Sequence, residues 1–238
     1  MQFQKDDDPF RHIGSIDIDL VIDFLKISKE QYAGIVELME TRGYKPRKDR
    51  MGRDIPFSFE RTIQELKIAV DFLAGEYGGT HKTHRHQRVQ SDLLARKARG
   101  ADLLPEHHLL LQLNGRLPGG ENQKSKVRMG DVVSILAMKG ITISERYKEK
   151  DAYDIYALVA HYKEGALSCF EEIAHVCGKG LVREGMKSIC EKFSTESSVG
   201  PVWAARFMEP DNPVAARMKQ TEIFQKVSPF VEKIRKII

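Results

Sequence analysis

Cysteine is scarce in this sequence of 238 residues: there are three, with a single tryptophan and no internal repeat. Cys169, Cys177 and Cys190 lack the close spacing of a structural zinc site, and their odd number argues against a disulfide framework. They are expected as reduced thiols in helices. No apolar run approaches the roughly 20 residues that span a bilayer. The N-terminus carries Asp6, Asp7 and Asp8 where a secretory signal would be apolar. A cytoplasmic protein without membrane association is expected. There is no P-loop and no dinucleotide-binding fingerprint; the glycine-rich stretch from Gly115 to Gly120 matches neither and reads as a hairpin loop. Nor is there a large excess of one charge. With 38 Lys and Arg against 34 Asp and Glu, the net charge of +4 permits a nucleotide or nucleic-acid partner without requiring one.

What is present begins with an alternating run. Over residues 16–24, Ile18, Leu20, Ile22 and Phe24 fall on one side, and Asp17, Asp19, Val21 and Asp23 on the other, the pattern of a strand with one buried face. Ser28 and Gln31 have capping-box spacing. They open a helix whose apolar stripe is Ile35, Leu38 and Met39 and which stops at Gly43. A basic loop with Arg42, Lys45, Arg47, Lys48, Arg50 and Arg53 follows. Residues 57–63 and 66–73 alternate on either side of Gln64-Glu65 and read as a hairpin. Two more strands are expected at 107–113 and 124–129. From Asp131 the period becomes 3.6, with helices expected at 131–146, 151–164, 166–177, 181–193 and 213–236. Strands first and helices second give an α+β core over 1–130 and a helical domain over 131–238.

Residues two apart on a strand project to the same side, roughly 7 Å apart. Asp17 and Asp19 can therefore share a Mg²⁺ site, since magnesium prefers carboxylate oxygens and retains water and phosphate ligands. Phosphoryl-transfer sites with two metals need a further carboxylate from a neighbouring strand. Asp71 interrupts the apolar run Ile68-Ala69-Val70-Asp71-Phe72-Leu73 and is the candidate. The same carboxylates could instead form a solvated face.

A second group lies in Arg146-Tyr147-Lys148-Glu149-Lys150-Asp151-Ala152-Tyr153-Asp154-Ile155-Tyr156. On a helix Lys150, Asp151 and Asp154 crowd one side. Lys139 closes a nearly apolar run and either snorkels to solvent or meets an anion. The alternative is a salt-bridged helix pair, with Asp151 as cap and Asp154 paired to Lys150 or Arg146.

Taken together, Arg11 to Leu20, Ala69 to Leu73, Leu136 to Lys139 and Arg146 to Tyr156 resemble the AbiEii/AbiGii-like nucleotidyltransferase toxins of the DNA polymerase β-like nucleotidyltransferase superfamily. The resemblance implies a nucleotidyltransferase-fold mixed sheet with flanking helices, then a helical C-terminal region. It implies that Asp17, Asp19 and Asp71 hold Mg²⁺, that Lys139 and Lys150 approach the triphosphate with Arg146 beside them, and that Asp154 acts as base or orients those cations. Nucleotide transfer from a nucleoside triphosphate such as ATP to an RNA or protein hydroxyl would follow, with an antitoxin protein as partner. The sequence departs from the superfamily at one point. Relatives carry a Gly-Ser pair at the start of a helix ahead of the Asp-x-Asp strand, whereas Gly14-Ser15 directly precedes it. Ser15 stays among the candidate nucleotide contacts, and either an earlier start or weakened catalysis is expected. The competing readings are a non-catalytic binding protein of this fold and a metal-dependent nuclease. His81, His84 and His86 lie among arginines and read as a solvated loop rather than a zinc site. The basic residues of 42–53, with Arg85, Arg88, Arg96, Lys97 and Arg99, offer phosphate contacts to an RNA acceptor.

Overall fold

A computed structural model describes residues 7–15, 17–22, 34–63, 65–76, 86–88, 94–117 and 120–238. The chain groups into two compact units, Ile13–Pro105 and the remainder, Met1–His12 with Glu106–Ile238. The sequence changes period at Gly130, but the second unit begins earlier, at Glu106.

The first unit is built on one mixed sheet. Its strands are β1 (Asp17–Val21), β2 (Lys45–Lys48), β3 (Asp54–Ile63), β4 (Leu66–Ala74), β5 (His86–Arg88) and β6 (Leu94–Lys97), in the order β2-β3-β4-β6-β5, with β1 also paired to β4. The β3–β4 hairpin forms as the alternation predicts, closing at Ile63↔Leu66. β1 and β6 run parallel to β4. The core side of the sheet carries Phe59, Val70, Phe72, Ala74, Ala95 and Ile22, and Ile35, Val36 and Met39 of α1 (Ile35–Thr41) pack against it with Tyr44.

Several local expectations change. Ile18 and Leu20 face the core side but are 46% and 44% exposed, because β1 pairs only with β4 among the described residues and lies at a sheet edge. In α1, Leu38 is exposed and Val36 takes its place on the apolar stripe. The expected basic loop contains β2, whose Pro46 is tolerated on an edge strand. The basic stretch 85–99 contains β5 and β6. The capping box at 28–31, and His81, His84 and Arg85, lie outside the described residues.

The second unit joins the hairpin β7 (His108–Arg116) and β8 (Asn122–Gly130) to six helices: α2 (Val132–Glu145), α3 (Glu149–His161), α4 (Ala166–Ile173), α5 (Gly180–Lys192), α6 (Val199–Met208) and α7 (Pro213–Arg235). Five of these were expected. The sixth, α6, contains Gly200 and Pro201, which read as breakers; Pro201 falls in the first turn, where its missing N–H costs no intrahelical bond. Asp131 caps α2 by accepting the Ser134 N–H at 2.9 Å. The three cysteines are buried and free; burial raises the thiol pKa of each. No described helix is long and apolar enough to cross a membrane.

Helices α2 and α5 cross at Gly140 and Gly185. A Cβ on Gly185 would stand 2.5 Å from the Ala137 carbonyl oxygen, and one on Gly140 would meet the backbone of Gly185. Backbone cannot swing aside as a long side chain can. Gly185→Ala is therefore expected to cost about 3 kcal/mol, the upper part of the overpacking range, measured by denaturant unfolding. A loss under about 0.5 kcal/mol, typical of a neutral surface change, would show that the helices separate without strain.

Candidate active site

The register of the first sheet sets its carboxylates. Parallel pairing places Asp17 beside Ala69 and Asp19 beside Asp71, while Ile18 and Leu20 sit beside Val70 and Phe72. Since neighbours in register share a face, Asp17, Asp19 and Asp71 all project away from the core. Asp17 and Asp19 are exposed and Asp71 is half-buried. Gly14 has φ 93°, a left-handed conformation, and the next residue, Ser15, accepts the Asp17 N–H on its hydroxyl oxygen at 3.3 Å. Ser15 thus supports the start of β1.

The strand on the other side of β4 adds a residue that the sequence reading missed. Ser58 of β3 lies opposite Asp71, is buried, and donates its hydroxyl hydrogen to Asp71 Oδ1. That bond holds one carboxylate oxygen and turns the group. Among the described residues no three His, Cys, Asp or Glu side chains converge on a common point. The donor set still suits magnesium, which is commonly held by one or two carboxylates while water and substrate phosphate complete its octahedron.

The remaining candidates gather in the helical unit. Lys139 Nζ reaches Asp151 Oδ1 at 3.1 Å and Asp154 Oδ2 at 2.6 Å. Arg146 grips Asp151 with two bonds, Nε to Oδ2 at 2.8 Å and Nη2 to Oδ1 at 2.9 Å. Lys150 donates to both oxygens of Asp154 at 3.0 Å. His12 Nε2 lies 3.3 Å from Asp154 Oδ1. Asp154 pairs with Lys150 as the salt-bridge alternative has it, but Arg146 goes to Asp151. Asp151 is not the cap of α3 either: Lys148 holds that position, and Asp151 sits in the first turn at 1% exposure.

Helix geometry explains the cluster. Lys150 and Asp154 are one turn apart on α3, so they stack. Arg146 leaves the end of α2 in extended conformation and turns its side chain back to Asp151. Burial opposes ionisation of Asp154, but the His12 hydrogen bond and the charges of Lys139 and Lys150 outweigh it and hold the carboxyl far below the usual range. Asp151 is also lowered: burial raises it, and the Arg146 bond and Lys139 charge prevail. Burial lowers Lys139, yet Asp154 and Asp151 bring its net pKa above the ordinary lysine value. The two acids are sealed in while the cations stay partly open, with side chains 25%, 39% and 35% exposed for Lys139, Arg146 and Lys150.

The segment before β1 helps to position α3. Phe10 stacks on His161 with ring centroids 3.8 Å apart, and the His161 ring Nδ1 donates to Asp8 at 2.6 Å. Tyr147, in the α2–α3 connection, is 86% exposed and meets Trp203 edge-on at 5.9 Å.

A family model described as nucleotidyl transferase AbiEii toxin, type IV toxin–antitoxin system, matches residues 14–220. No curated protein and no solved structure matches the chain.

Proposed function

The chain belongs to the AbiEii nucleotidyl transferase toxin family, and from that premise we propose that it transfers a nucleotide from a nucleoside triphosphate to a hydroxyl of RNA or protein in a magnesium-dependent reaction. The pairing of Asp19 with Asp71 across β1 and β4, with Asp17 on the same face, carries this reading. Asp17, Asp19 and Asp71 would hold the metal. When bound, magnesium neutralises charge on the phosphates and favours loss of the acceptor proton. Ser58 holds Asp71 by its hydrogen bond, so that carboxylate need not be ordered on binding.

In the helical unit, Lys139, Arg146 and Lys150 outnumber the two carboxylates they pair with and retain an excess of positive charge. Their remaining N–H groups are suited to phosphate oxygens. Asp154, with a strongly lowered pKa, is too weak a base to take a proton from a hydroxyl. Its role in this reading is to orient Lys139 and Lys150. Ser15 accepts the Asp17 N–H, which gives it a positioning role at the start of β1 and leaves its hydroxyl hydrogen for a phosphate oxygen. The family name brings with it an antitoxin protein as the proposed partner.

The test is incubation with Mg²⁺, each of the α-labelled ribonucleoside triphosphates in turn, and cellular RNA and protein. Label should enter an acceptor and be lost with a chelator. RNA that shortens instead would identify a nuclease, and absence of label from every triphosphate would reject the transfer reading. A non-catalytic role has one observation in its favour: each candidate phosphate-binding cation already has a carboxylate partner. It predicts no magnesium-dependent nucleotide binding by calorimetry.

A further inference from the structure

Hairpin β7–β8 has two unlike faces. Its register, His108↔Gly130 through Arg116↔Asn122, assigns each residue to one of them. One carries Leu109, Leu111, Leu113, Val127 and Met129. The other joins Arg128, Lys126 and Lys124 of β8 to Leu110, Gln112 and Asn114 of β7, with the Arg116–Asn122 pair at its end. Lys124, Lys126 and Arg128 are exposed, and none has an ion pair or side-chain hydrogen bond among the described residues. No acid lies on this face; Glu121 belongs to the loop beyond the strands. Arg116 donates through Nε to the Gly120 carbonyl at 2.8 Å, leaving its other N–H groups available.

We propose that this face of the hairpin is a docking surface for the backbone of single-stranded RNA. The three β8 cations alternate along one strand and so stand about 7 Å apart in a row, a linear array suited to successive phosphates. An acidic protein segment would match this track only if its acids fell at every second residue, whereas every nucleotide carries a phosphate. The intervening Gln112, Asn114 and Asn122 each donate and accept hydrogen bonds, which matches the 2′-hydroxyl that separates RNA from DNA. Apart from His108 at one end, the face carries no aromatic ring on which a base could stack, so binding is mainly through the backbone and largely independent of sequence. This inference rests on the proposed transfer reaction only in naming RNA as the acceptor class.

The test uses the full chain without triphosphate or magnesium, so that a catalytically inactive protein still reports binding. A fluorescein-labelled 20-nucleotide RNA of mixed sequence is titrated at several salt concentrations. The variant K124Q/K126Q/R128Q is compared with K179Q/R183Q/K187Q, which removes three exposed cations from α5 and its N-cap and changes the net charge equally. The hairpin variant is expected to lose affinity at least tenfold and to flatten the log–log salt slope by about 2, as for three phosphate contacts on a single strand. The α5 variant should change little. Equal effects in the two variants would overturn the proposal, as would DNA of the same sequence binding as tightly as RNA. Binding of a labelled polyglutamate peptide with none of the RNA would assign the face to an acidic protein. Should the triple variant fold poorly, acylation of the wild-type lysines decides: RNA should protect Lys124 and Lys126 and leave Lys179 and Lys187 reactive, and equal reactivity with and without RNA would reject the site.

Discussion

Asp19→Asn and Asp71→Asn are each expected to lower nucleotide transfer about a thousandfold, since losing a metal carboxylate removes several kcal/mol of charge stabilisation and each 1.4 kcal/mol is a factor of ten. The substitution keeps shape and removes charge. Asp19 is exposed, so its variant should unfold within about 0.5 kcal/mol of the wild type, and lost activity cannot then be blamed on lost fold. Asp71 needs a second variant, because Ser58 donates to it. Ser58→Ala leaves the carboxylate charged but free to rotate, and should cost about tenfold, in the range of disturbed outer-shell partners. Higher magnesium should restore part of the Ser58→Ala activity and none of the Asp71→Asn activity. Asp54→Asn, which removes an exposed carboxylate paired to Lys48, serves as control. Transfer undiminished in Asp19→Asn would place the chemistry elsewhere in the protein and reject the metal role of that carboxylate.

Asp154→Ala should be the most destabilising carboxylate replacement in the helical unit. Removing the acid leaves Lys139 and Lys150 facing each other without their shared counter-charge. Lys139 keeps Asp151 and both lysines are partly open to solvent, so the loss is expected at about 2 kcal/mol, the size of a charged hydrogen bond, which in a chain of this size lowers the melting temperature by roughly 6 °C. The pH dependence separates this from simple loss of volume. Asp151 and Asp154 both have lowered pKa values in the folded protein. Their stabilisation is therefore complete above the unfolded carboxylate pKa, about 4, and is lost as pH falls through the folded values below it. Wild type should lose stability on acidification beneath pH 4, and the gap between it and Asp154→Ala should narrow there. A gap that stays constant from pH 7 to pH 3 would mean that the carboxylate contributes packing only.

The sequence by itself determined the strands of the β3–β4 hairpin, the helices from Asp131 onward except α6, and the common face of Asp17 and Asp19. Each follows from a local period or a short turn. It also held more than was read from it. A two-residue connection between Ile63 and Leu66 sets the register back to Ser58↔Asp71, so the partner of the third carboxylate was legible by counting. Composition hid other elements: β2 is basic and contains proline, and α6 carries Gly200 and Pro201 in its first turn.

Tertiary structure decided what no local pattern encodes. Only the parallel pairing of β1 with β4, between strands far apart in the chain, puts Asp19 beside Asp71. Only the approach of α2 to α3 and of His12 to Asp154 shows that Asp151 and Asp154 are sealed carboxylates rather than exposed helix charges. Alternation assigned Ile18 and Leu20 to the right face but could not tell that an edge strand leaves them half-exposed. Periodicity tells which way a side chain points; burial and pKa depend on which neighbours the rest of the chain brings to meet it.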